Sequence, residues 1–493
     1  MNTFSYHIFY FPFKWDIKGV EFNTLSERID LTKLHFRPGS CWERTQNANS
    51  KEAKDLYNEK NYYYKFVHKT LYDSASNEDN IIMHFERKEC KEEDKTVQYV
   101  IKKRGRTNPF TLDIDAININ LYSTGIGFLS FYLSNRDESQ KDPDSILGIN
   151  QYGRRVMPPF FDDIKNRMET SEYIRIDGLD PQRTYFENFE GYTVDDDWKQ
   201  GSFITNLIDD LSDNILIEPV IDDRMFVACW YKNDEMADEF KKNADAFYNP
   251  ENDFSSFWYK FLFVDGGFES CQNDEMKREL LNKYTYKRWQ KIGTLYGCSR
   301  YSMVLLANSY APDFLFNNFN TMYARMIELV LVQRASTLRF SEEVTEVSNL
   351  SNQEVGNVST RVSSLYKEYI RFVNQIYFKS VTAQDQGVEL YNLLQDNLSL
   401  STHIKDLDDE IGELFNYVFL KEERARNNKA TFLNDVAVLF LPTTFVAGVF
   451  GMNVWKDVIK PDKDANSFLY ECIVLAIGLI IAICIIFRRK KRL

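Results

Sequence analysis

Cysteine is sparse and carries no pattern. Cys41, Cys90, Cys229, Cys271, Cys298, Cys472 and Cys484 are scattered, odd in number and without a CxxC pair. A disulfide framework or zinc ribbon is not expected, and a reducing, cytosolic body is the simpler reading. The five histidines (7, 35, 68, 84 and 403) show no HxxxH or HExxH spacing, and GxxxxGK[ST] and GxSxG are absent. No reactive constellation marks an enzyme. Positive charge is also short: 60 Lys and Arg face 73 Asp and Glu, a net charge of −13, so direct nucleic-acid binding is not expected. The first basic residue is Lys14, so a signal-peptide start is not expected and the N-terminus is expected in the cytosol. Mean hydropathy of −0.43 excludes a chain mostly buried in lipid.

What the sequence does have is a greasy end. Residues 436–455 form 20 residues without a charge, and residues 468–487 form another 20 with one charge, Glu471. A helix of that length covers about 30 Å, the thickness of a hydrocarbon core. The chain ends Arg488-Arg489-Lys490-Lys491-Arg492-Leu493. Such a cluster stays on the cytoplasmic side, which puts both termini there and only a short loop outside. Two helices cannot enclose a pore, so transport requires several copies. Asn427, Ala430, Asn434, Ala437, Leu441, Thr444, Gly448 and Gly451 recur at steps of three and four. This stripe of mainly small or polar residues fits either a pore lining or a packing seam between membrane helices.

Phe450-Gly451-Met452-Asn453 follows a Pro442-containing span and precedes a loop, a second span and a polybasic tail. That combination resembles the CorA family of magnesium channels. The resemblance implies a homopentameric funnel in the bacterial inner (plasma) membrane, with the first span lining the pore. Gly451, Met452 and Asn453 would form the selectivity filter, with the Asn453 amide holding hydrated Mg²⁺ through its first shell. Asn427, Asn434, Thr444 and Gly448 would line the pore, and Leu433 and Leu441 would be hydrophobic constrictions.

The sequence departs from the family at Asn434 and Asp435, which stand where the family is apolar. Asp435 is either an interfacial acid or a carboxylate ring at the cytoplasmic mouth. The outer loop lacks the family's Met-Pro-Glu-Leu signature, and Asp457, Asp462 and Asp464 are matched by Lys456, Lys460 and Lys463. The ion selected stays open.

Leu400, Ile404, Leu407, Ile411, Leu414 and Val418 form a heptad seam, and no proline lies between Pro312 and Pro442. These features predict one helix from about residue 385 to 453, with partner helices at about 317–345 and 354–384. Lys421, Arg424, Arg426 and Lys429 suit anionic lipid head groups. Segments 80–85, 96–101, 114–122 and 126–133 read as strands, the last two as a hairpin around Ser123-Thr124-Gly125.

The expected organisation is an α/β cytosolic sensor domain (1–300), a helical bundle and stalk (301–431), a first transmembrane helix (432–453), an external loop (454–467), a second transmembrane helix (468–487) and a basic cytoplasmic tail (488–493). Basic turns at Lys102-Lys103-Arg104-Gly105-Arg106 and Gly153-Arg154-Arg155 are either phosphate contacts or solvated loops. By resemblance to the family's intersubunit acids, Asp195, Asp196, Asp222 and Asp223 are candidates for regulatory Mg²⁺.

The aromatic front end, with RFVNQIYFKSVTAQDQGVELY, resembles a CorA branch found beside type III CRISPR systems. This implies an antiviral membrane effector gated by a nucleotide messenger such as adenylated S-adenosylmethionine, its pocket unassigned. The alternative is a housekeeping Mg²⁺ transporter closed by intracellular Mg²⁺.

Overall fold

Thirteen strands make one sheet: β1 Ser5–Ile17, β2 Trp42–Thr45, β3 Ile82–Arg87, β4 Gln98–Lys103, β5 Phe110–Tyr122, β6 Ile126–Asn135, β7 Ser171–Asp177, β8 Phe186–Asn188, β9 Ile215–Pro219, β10 Phe226–Lys232, β11 Thr285–Tyr286, β12 Thr294–Cys298 and β13 Ser302–Ala307. The computed structural model describes residues 3–20, 25–46, 53–74, 80–92, 94–158, 170–180, 182–193, 195–249, 252–349 and 355–451, together with 473, 476, 477 and 480. Strand order is β11-β12-β13-β10-β1-β6-β5-β4-β7-β8, with β3 and β9 also pairing β5 and β1. The β10–β13 pair is parallel, and the other named pairs are antiparallel.

The aromatic start of the chain is the central strand. Tyr6, Ile8, Phe9, Tyr10, Phe11, Phe13 and Trp15 of β1 are all buried. A strand covered on both faces needs no polar alternation, which is why periodicity does not mark it. Pro12 sits where β1 changes partner from β10 to β9, a place where a missing ladder N–H costs little. The β5–β6 hairpin forms as its sequence predicts, turning at Gly125 with φ +74.

Among the described residues the helices of ten residues or more are α1 Ala53–Tyr62, α2 Pro143–Gly153, α3 Asp253–Phe263, α4 Asp274–Tyr284, α5 Ala324–Asn349, α6 Val355–Gln375, α7 Asp385–Asn397 and α8 Leu400–Gly451. The chain divides into two units. One comprises residues 1–352 and 360–412, and the other residues 353–359 and 413–493. The sheet runs to Ala307, past the expected limit of the α/β region at residue 300, and the bundle helices to residue 412 share its unit.

The single helix expected from 385 to 453 is interrupted. Ser399 adopts φ +53 between α7 and α8, although no proline is present. Tertiary anchoring holds the break: Asn397 Nδ2 donates to the Cys298 carbonyl at 2.6 Å, and Leu398 and Leu400 are buried on either side of Ser399. The partner helix expected to reach 384 ends at Gln375 instead. Beyond it, Thr382 bridges Tyr63 and its hydroxyl donates to the Tyr62 carbonyl at 2.5 Å.

Candidate pore helix

The first turns of α8 carry the predicted seam. Leu400, Ile404, Leu407, Ile411 and Val418 are buried, and Leu414 is half-buried. Tyr369 of α6 donates to the Ile404 carbonyl at 3.3 Å. Arg334 of α5 donates to Nδ1 of His403, whose pKa is lowered by burial and by the charges of Arg334 and Arg300.

The same helix continues through Pro442 to Gly451. Asn427, Leu433, Asn434, Leu441, Thr444 and Gly448 are all exposed along it. At 100° per residue the small and polar stripe from Asn427 to Gly451 occupies an arc of roughly 120°. Asp435 falls roughly 140° from the centre of that arc and is half-buried. One helix face therefore does not hold Asp435 and the stripe together. Thr431 and Thr444 bond back to the carbonyls of Asn427 and Phe440, at 2.8 and 2.7 Å, which satisfies both hydroxyls within the helix.

Met452 and Asn453 lie outside the described residues, as do the external loop 454–467 and the basic tail 488–493. Of the expected second span, Ile473, Ala476, Ile477 and Ile480 are described, as helical and exposed. Among the described residues no helix is long and apolar enough to cross a membrane.

Within the N-terminal body, α5 grips the sheet. Glu328 accepts from Tyr122 at 2.6 Å and from Asn120, and Ser336 Oγ donates to Thr124 Oγ1 at 2.9 Å. Arg339 reaches the carbonyls of Trp15 and Gly125 and the carboxylate of Asp16. The buried Arg325 stands 3.6 Å from Glu59 and 3.8 Å from Glu328. Sequence reading missed these residues. Their signal is the set of charges inside the apolar run ARMIELVLVQRASTLRF.

Three of the four predicted acids have partners within the chain. Asp196 accepts the backbone N–H and hydroxyl of Thr193, and Asp195 is exposed. Asp222 and Asp223 pair with Arg224, and Asp223 also with Arg155. Among the described residues no group of three or more His, Cys, Asp or Glu is placed to hold a metal ion. A cavity of about 1010 Å³ lies in the body beside the β-bulge at Asp115. Tyr6, Tyr132, Phe316, Arg136, Lys91 and Asp113 are among its lining residues.

No curated protein matches the chain. Residues 299–490, from the β12–β13 turn through α8 and beyond, match the family described as CorA-like Mg2+ transporter protein.

Proposed function

We propose that this chain works as a CorA-like divalent-cation channel in which several copies bring α8 around a pore, with the N-terminal body controlling it. The observation that carries this reading is the continuity of α8. One helix bears the packed seam at Leu400–Ile411 and the exposed stripe from Asn427 to Gly448, inside the segment that matches the transporter family. In this reading a change at the packed end of α8 is passed along the helix to its far end.

In this reading Asn453 forms the outer filter, residues 432–453 and 468–487 cross the membrane, and both termini are cytoplasmic. The body's signal is a small soluble ligand. An adenine-nucleotide messenger, as the CRISPR-associated resemblance implies, is the first to test. The competing Mg²⁺-closed transporter needs acids free for the ion: Asp222 and Asp223 are occupied by arginines within the chain, which leaves the exposed Asp195 as its candidate.

The experiment is divalent-ion flux into proteoliposomes, with and without messenger on the cytosolic face, for the wild type and Asn453→Ala. Ligand-dependent flux, lost or made unselective in the variant, supports the proposal. Normal flux in Asn453→Ala removes the pore assignment. Constitutive flux that falls as Mg²⁺ rises on the cytosolic face favours the housekeeping transporter.

A further inference from the structure

Three arginines are held together in the N-terminal body with two carboxylates between them. Backbone pairing sets them there: Met225 N donates to the Arg154 carbonyl at 2.8 Å, Met157 N to the Asp223 carbonyl at 3.2 Å, and Arg155 bridges Arg224. Like charges placed opposite one another on paired strands are unfavourable. Each nitrogen of the Arg155 guanidinium has an acceptor: Nε the Met157 carbonyl, Nη2 the Pro158 carbonyl and Nη1 the Asp223 carboxylate. Arg224 takes Asp222 and the other oxygen of Asp223.

Arg154 is left over. It is 2% exposed, donates one bond (to the Val264 carbonyl at 3.2 Å), and its buried Nε has no hydrogen-bond partner. Arg154 and Arg224 both stand by the half-exposed ring of Tyr301, 5.6 and 5.8 Å from its centroid. Burial and the charge of Arg224 pull the Arg154 pKa down to about 9. Asp222 and Asp223 attract it without forming an ion pair; a buried guanidinium with no directly paired carboxylate is costly, and its unpaired Nε leaves a donor for an oxyanion.

We propose that Arg154, Arg224 and Tyr301 form a binding site for a phosphate group, inorganic or carried by a small soluble ester. Arg154 supplies the buried fork, Arg224 the second cation, and Tyr301 the exposed wall through which the anion enters. Asp222 and Asp223 stay on Arg155 and Arg224, leaving the cluster one cation in excess to meet the anion. The inference rests on the N-terminal body alone and stands whether or not the chain conducts ions.

The test uses the full chain in detergent, followed by tryptophan fluorescence during heating, with inorganic phosphate titrated against chloride at constant ionic strength. A saturable rise in Tm is expected for the wild type. It should be absent in Arg154→Met and shifted to roughly tenfold higher phosphate in Arg224→Gln. Arg224 is partly exposed, so this second variant keeps the test valid if Arg154→Met fails to fold. Glycerol phosphate should reproduce the effect, and a shift seen only with phosphatidic-acid vesicles would overturn the soluble-ligand assignment. An unsaturable rise, a flat response, or equal responses of wild type and Arg224→Gln would show that the Val264 carbonyl and the field of the neighbouring aspartates suffice for Arg154, and would sink the site.

Discussion

Arg339 of α5 donates from Nη1 to the carbonyl of Gly125 at 2.8 Å, closing the tip of the β5–β6 hairpin onto the helix. The turn needs a glycine twice over. Its φ is +74, and a Cβ there would overlap the Arg339 guanidinium and the Ile29 side chain. Gly125→Ala is expected to cost about 2–4 kcal/mol, from backbone strain and overpacking together. Chemical unfolding of the full chain in detergent measures it, and a loss below about 1 kcal/mol would contradict the clamp.

Arg325 sits between two carboxylates, Glu59 and Glu328, all three buried. Glu328→Gln keeps an acceptor for Tyr122 and Asn120 and leaves Glu59 for the arginine. A cost of about 1 kcal/mol is expected. The double variant Glu59→Gln/Glu328→Gln removes both of these carboxylates from the guanidinium and should cost on the order of 3–5 kcal/mol. A purely additive double-mutant cycle would show that the two acids do not share Arg325.

The break at Ser399 places a non-glycine residue at φ +53. Ser399→Gly should raise stability by up to about 1 kcal/mol, while Ser399→Val should lower it by more than that. If the segment instead straightens, valine will be harmless and glycine destabilising. Unfolding of the two variants side by side distinguishes these results.

His7 and His84 are buried as neutral rings, donating from Nδ1 to Asn150 and Asn120. Burial lowers their pKa values from 6.5, to about 4 for His7 and about 3 for His84, where Arg325 adds to the effect. As pH falls below 6.5, the unfolded chain takes up protons that the folded chain refuses. Their contribution is therefore complete above 6.5 and is lost progressively down towards pH 4 and 3. Each histidine should impose a slope approaching 1.4 kcal/mol per pH unit in that window. Unfolding measured between about pH 6.5 and 5, above most carboxylate titration, should flatten in His7→Gln/His84→Gln. A wild-type profile already flat there would mean the rings are not buried neutral.

Legibility followed periodicity. Strands β3 to β6 could be read because they are short β-branched and aromatic runs between turn residues, the last two joined at Gly125. The seam from Leu400 to Val418 could be read from its heptads, because one packed stripe on a helix leaves a 3.5-residue signature. Strand β1 could not, since an apolar run buried on both faces has no period to detect, and β9 to β13 lie among helical patterns. The arginine cluster was legible only as a basic turn at Gly153-Arg154-Arg155. Its excess charge emerges when residues 223–225 are paired against it.

By itself the sequence determined what local chemistry controls: the hairpin, the amphipathic stalk, the apolar C-terminal runs, and the GMN tripeptide with its CorA-like setting. Tertiary structure alone decided where α7 stops and α8 begins, because the Asn397–Cys298 bond joins residues 99 positions apart. It likewise decided that Arg339 meets Gly125 and that Arg154 is left without a direct ion pair. Those outcomes depend on which distant groups share a low-dielectric interior, and no window of neighbouring residues contains that information.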